Sequence, residues 1–127
     1  MNFALWIAAG LLAVVALGGG VTKMFVPREK LAVAPGGGWT GDVGVGFVKT
    51  LGVLESLAAA GLILPAALGI VPVVVPVTAV CWILLMTGAM ITHGRRGESA
   101  FVLLNLIYLA VAAFVAWGRF VLEPFTG

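Results

Sequence analysis

Charged side chains are scarce in this sequence. Seven Lys and Arg and five Asp and Glu make up 9% of its 127 residues, whereas soluble domains carry about 25%. So few charges cannot form a polar shell around a chain that is 62% hydrophobic, which excludes an ordinary water-soluble domain and leaves lipid as the natural surrounding. One cysteine, Cys81, excludes an internal disulfide and a CxxC redox pair. One histidine, His93, excludes bis-histidine haem ligation and His-rich metal sites within one chain. The cations lie in short stretches between apolar runs instead of on one basic face, so nucleic acid is not an expected partner. No Ser/His/Asp arrangement or metal-ligand spacing occurs. The glycine triplets at 18–20 and 36–38 are not phosphate cradles, because no strand precedes them and no GK[ST] follows.

Long apolar runs dominate what is present. Residues 1–22 contain no ionisable side chain, and about 20 residues suffice to cross roughly 30 Å of hydrocarbon. A cleaved signal peptide would want Lys or Arg in its first few residues, and Met1, Asn2, Phe3 and Ala4 supply none. Prolines, glycines and charges between 26 and 42 mark a loop. After Lys49 and Glu55 nothing ionisable appears until His93, a stretch too long for one crossing. Pro65, Gly69, Pro72 and Pro76 break it near its middle. The expected fold is therefore an all-α membrane protein, one domain over 1–127, with four transmembrane helices in an up-and-down bundle. The spans are read at 3–23, 46–68, 73–92 and 100–118. Trp6, Trp117 and Trp39 suit an aromatic belt, while Trp82 lies deeper and reads as packing. Cys81 reads as a buried small apolar residue.

Four crossings put the loop at 26–42 and the segment at 93–98 on one side. That side holds Lys23, Arg28, Lys30, Lys49, Arg95 and Arg96, against Arg119 alone on the other. The positive-inside rule then predicts a multi-pass protein of the cell (plasma) membrane with its charged loops cytoplasmic and both termini outside.

The residue that draws most attention is Glu55, about two turns into the second span. At that depth a carboxyl is protonated, paired or turned to a cavity. Asn105 and Thr87 lie at similar depth on the fourth and third spans, with Lys23, His93, Arg95 and Arg96 nearer the surface. Glu55, His93, Asn105, Thr87, Lys23 and Arg95 are thus the candidate ligand-binding set, expected to converge on a polar pocket open to the cytoplasm. The alternative for Glu55 is packing. Gly52 and Ala59 share its helix face, which lets another helix approach, and the carboxyl would then hold Asn105 or a backbone carbonyl across an interface. His93 has an equally plain alternative, capping the last carbonyls of its helix beside Arg95 and Arg96. A relay or ligand contact would use its charge change near neutral pH.

The segment from Leu51 to Pro65, with Gly52, Glu55, Gly61, Leu62, Leu64 and Pro65, resembles the "G-x-x-E, small residues, G-L-x-L-P" pattern of the DoxX-like membrane proteins. Gly88 to Glu98, with Thr92, His93, Arg95 and Gly97, resembles their "A-x-x-T-H-x-R-x-G" pattern, and Lys23 after a glycine-rich helix end fits as well. The resemblance extends over nearly the whole chain and implies a four-helix membrane fold with a loose association to quinone-linked redox metabolism. It supplies no agreed catalytic residues. Three functions are weighed on this basis. The first is an accessory subunit or partner of a membrane oxidoreductase, binding membrane lipid and a larger complex or a second copy of itself. It carries no cofactor of its own and offers a quinone or similar lipophilic molecule a site near Glu55 and His93. The second is a small proton-coupled transporter using Glu55, and the third is a purely structural scaffold.

Overall fold

The computed structural model describes residues 1–125; residues 126 and 127, the end of the expected domain, lie outside the described residues. Four long helices carry the fold: α1 (Asn2–Phe25), α3 (Val45–Leu68), α4 (Val74–Arg95) and α5 (Ser99–Trp117), with a short helix α2 (Arg28–Val33) between the first two. Each long helix, α5 together with the π-helical turn Gly118–Leu122 that follows it, is long and apolar enough to cross a membrane. No strand occurs among the described residues.

The helices stand in a ring, α1 beside α3, α3 beside α4, α4 beside α5 and α5 back against α1, with little contact across the diagonals. The α1–α3 and α4–α5 faces are the most extensive. Each helix turns one stripe inward at helical spacing: Leu5, Ala8, Ala9, Leu12, Ala16 and Gly20 on α1, then Val48, Gly52, Glu55, Ala59 and Leu62 on α3. Val75, Ala79, Trp82 and Met86 do so on α4, and Ala112, Val115 and Ala116 on α5. Small side chains fill much of this seam, because without a hydrophobic force between helices in lipid, close backbone approach is what gives contact. Trp82 fills the middle with 2% exposure, and its indole N–H meets no acceptor. Outward positions such as Phe3, Val14, Leu57, Leu84 and Leu103 are apolar and exposed, as a hydrocarbon surface requires. Cys81 is among the outward residues, not in the core. It directly precedes the inward Trp82 and so lies off the buried stripe.

Chain breaks follow local chemistry. Pro65 and Pro76 do not end helices. Pro65 is held inside α3 and Pro76 is the third residue of α4, where a free N–H has no partner to lose. The break comes at Gly69, which takes φ 67° while the N–H groups of Gly69 and Ile70 return to the carbonyls of Ala66 and Pro65. This is a Schellman close, which needs the left-handed conformation that glycine adopts freely. Gly97 repeats it at φ 71°, with the Glu98 N–H on the His93 carbonyl at 2.9 Å.

The segment after α1, expected to be a plain loop, is built. Helix α2 and a 3-10 turn (Gly38–Asp42) fold over the end of the α4–α5 hairpin, where Gly36 lies against the Phe101 ring and Gly38 against the Arg96 guanidinium. Arg28 donates to the Val43 carbonyl, and Arg96 pairs with Asp42 at 2.6 Å. Glycines at 36–38 thus serve close packing and not slack.

At the α1–α3 crossing, a Cβ on Gly52 would lie 2.7 Å from the Gly20 carbonyl oxygen and 2.8 Å from Cγ of Met24, and one on Gly20 would lie 2.7 Å from the Gly52 carbonyl oxygen. Backbone cannot yield there, so Gly20→Ala and Gly52→Ala are each expected to destabilise the protein by about 1–3 kcal/mol. Gly18→Ala, with nothing within 4 Å of the added methyl, is expected to be neutral or to gain up to about 1 kcal/mol from helix propensity. Unfolding titrations of the three variants in detergent micelles check the contrast.

Candidate functional site

The polar residues of the membrane interior continue the same inward stripes. Lys23 follows Gly20 on α1, Glu55 lies between Gly52 and Ala59 on α3, and His93 is two turns beyond Met86 on α4. Their inward direction is therefore dictated by helix register, and each must find a partner inside the bundle.

Glu55 finds Lys23. Its Oε2 lies 2.8 Å from Lys23 Nζ, with the carboxylate side chain 7% exposed and the lysine 21%. Gly19 makes room for the carboxyl, since a Cβ there would be 3.0 Å from Oε1. On the next residue, the Ser56 hydroxyl donates to the Gly52 carbonyl at 2.9 Å, so this side chain too is paired at the crossing. Lys49 Nζ donates to the Met24 carbonyl at 2.8 Å, tying the start of α3 to the end of α1. The chain thereby forms one ion pair at the closest helix contact of the bundle, with the lysine stem reaching back one turn along α1, away from the charged end, to the level of Gly19.

His93 finds Glu98. Nδ1 is 2.8 Å from Glu98 Oε1, and with the carboxylate as acceptor the imidazole carries its proton on Nδ1. The ring is 8% exposed and stacks on Phe101, with centroids 5.4 Å apart and planes at 25°. Arg96 Nε approaches the same carboxylate oxygen at 3.7 Å while its Nη1 holds Asp42. Glu98 meets His93 twice, by side chain and by backbone N–H, so the sharp α4–α5 turn and the histidine are one unit.

The expected convergence of six residues is realised only in pairs. Lys23 and Glu55 meet; His93 meets Glu98, which was not among the six. The Asn105 amide donates to the Phe101 carbonyl of its own helix at 2.8 Å, and not to Glu55. The Thr87 hydroxyl likewise bonds the Ile83 carbonyl at 2.9 Å and faces outward. Arg95 is exposed. Depth placed these side chains at one level, but register sends Thr87 off the inner stripe, being the residue after Met86. Depth reasoning also passed over Glu98, Asp42 and Arg119. Arg119 is only 4% exposed at the opposite end. Its signal was available, seven positions after Ala112 on the inward stripe of α5. Among the described residues, no group of three or more His, Cys, Asp and Glu side chains is arranged to hold a metal ion.

Comparison with known proteins yields one match. The family model described as the DoxX-like family matches residues 7–115. No curated protein and no solved structure gives a significant match.

The Lys23–Glu55 pair has a measurable signature. Breaking a buried pair from one side typically costs about 3–5 kcal/mol, and the partly exposed lysine draws Lys23→Met to the low end of that range. Replacing both residues with Met removes the stranded charge, so the double variant is expected to be more stable than either single one. A double-mutant cycle measured by unfolding in micelles checks this.

Proposed function

The chain belongs to the DoxX-like family, and we propose that it serves as a non-catalytic membrane subunit that assists a larger quinone-linked oxidoreductase. The observation that carries this reading is the closed Lys23–Glu55 pair. A proton-coupled carrier must present its acid to water and release it in turn, whereas this carboxylate is held against α1 by a lysine and a glycine. Such a pair favours assembly over exchange. With Lys23, Glu55, His93 and Glu98 engaged with one another inside the chain, contact falls to the apolar outer face and the charged end. The outer face suits lipid and helices of a partner or of a second copy. The charged end, with the exposed Arg95 two residues after His93 and the His93–Phe101 stack, suits the surface of the enzyme and the head of a quinone.

Six of seven cations gather at that end, so we place it in the cytoplasm and both termini outside, in the plasma membrane. An impermeant thiol reagent on intact cells decides the orientation in a Cys81→Ala background: Arg95→Cys is expected to label only after the membrane is opened, and Met1-side or Glu123→Cys labels to appear before.

The subunit reading is tested by extraction in mild detergent and native electrophoresis. The protein is expected to migrate with quinone-reducing activity, and deleting it to lower that activity in membranes several-fold. Migration as a lone monomer or dimer, with membrane quinone reduction unchanged on deletion, overturns it.

A further inference from the structure

At the end of the bundle away from the charged loops, α5 tightens into its π-helical turn. Gly118 there lies directly against the Leu5 side chain, with no space for a Cβ, and this close approach turns the next residue, Arg119, inward. The guanidinium meets little that is suited to it. Nη1 donates to the Glu123 carbonyl at 3.0 Å, and Cζ sits 3.9 Å from the centre of the Phe125 ring. Among the described residues no carboxylate comes within ion-pair distance of it. A guanidinium has five N–H donors, so one backbone oxygen and one ring face leave most of them free. Every other ionisable side chain on an inward stripe has an ion-pair partner; among the described residues Arg119 has none at that distance.

Beside it opens a cavity of about 390 Å³, within the size range of small-molecule sites, where among the described residues Arg119 is the only polar lining side chain, set among valines, prolines and phenylalanines. Val71, Val73 and Phe120 on its walls are roughly half exposed or more, so the cleft is open to the surroundings. Its depth is marked by two tryptophans. Trp6 packs edge-on against Phe125 at 6.2 Å, and Trp117 is 53% exposed. Tryptophans of this kind settle at the headgroup level.

We propose that this cleft binds a phosphate-bearing membrane lipid, with the phosphodiester on Arg119 and an acyl chain along Val71, Val73 and Phe120. A guanidinium matches phosphate oxygens by two parallel hydrogen bonds. The apolar walls have nothing to offer a hydrated free anion, but they cover an acyl chain. Glu123, exposed at the rim, gives the guanidinium its backbone oxygen and a Coulombic attraction from beyond ion-pair distance, so among the described residues no carboxylate closes on the remaining donors. The site is independent of the Lys23–Glu55 and His93–Glu98 pairs, which lie at the other end, and of the subunit reading.

The test uses the full chain in an uncharged detergent and three probes: short-chain phosphatidylglycerol, the diacylglycerol with the same chains, and inorganic phosphate. Native mass spectrometry and thermal unfolding are the readouts. Phosphatidylglycerol is expected to be retained and to raise the unfolding midpoint, with the other two at least tenfold weaker. Arg119→Gln is expected to weaken phosphatidylglycerol binding at least tenfold. Val73→Trp, which leaves Arg119 in place and fills the cleft, should do the same and decides the matter if the first variant does not fold. Thr50→Ala, at the other end of the bundle, should bind as the wild type does. Equal binding of the diacylglycerol shows that the phosphate is not recognised, equal binding of inorganic phosphate makes a free anion the ligand, and wild-type binding by Val73→Trp empties the cleft of any role; each result overturns the proposal.

Discussion

A carboxylate inside hydrocarbon must be neutralised from within the protein, and the 2.8 Å contact between Lys23 and Glu55 meets that requirement here. The rest of the α1–α3 interface is arranged so that this contact can form. A lysine and a glutamate on neighbouring helices reach each other only if the backbones come close, and Gly19, Gly20 and Gly52 allow that approach by having no side chains. Exchanging small residues for large ones would separate the helices and strand both charges. The ion pair and the glycine crossing are therefore one device, in which the close approach of the backbones is what lets the charges meet.

The two ends of the bundle solve the problem of polar groups differently. At the charged end, side chains and turns satisfy one another: Glu98 returns to His93, Arg96 holds Asp42, and the segment carrying α2 is drawn down over the α4–α5 hairpin. That end is closed by its own residues. The far end has a single cation, an aromatic ring and a cleft, with its polarity left incomplete inside the protein. The asymmetry follows from the distribution of charge along the chain, since five acids and seven bases fall mostly near the loop end and cannot serve both.

Much of the architecture was legible before any coordinates. Four apolar stretches of membrane-crossing length, separated by proline, glycine and charge, allow few arrangements, and the DoxX-like motifs fall on α3 and on the end of α4. What composition could not resolve was which way each side chain turns. Thr87 and Glu55 sit at comparable depth, yet one faces out and the other in, because the inner stripe of α4 runs through Met86 and that of α3 through Gly52 and Ala59. The partner of Glu55 was also out of reach of a depth argument, which pointed to Asn105 on α5, whereas α1 and α3 are the helices in closest contact. In the sequence the glycines at 36–38 marked a loop and no more, for a related reason. Glycine signals freedom in an isolated segment, but at Gly36 and Gly38 it signals an approaching side chain that only the folded protein reveals.

Helix α1 is paired with α3 across a long connection, while α4 and α5 are joined by a turn of a few residues. During synthesis the chain emerges from the ribosome in order, so Lys23 reaches the translocon well before Glu55 does. Until α3 follows, its ammonium group must lie among lipid headgroups at the end of an otherwise greasy helix. The arrival of α3 then brings Glu55 to an ammonium group already in place, so the carboxylate enters the bilayer with its partner waiting.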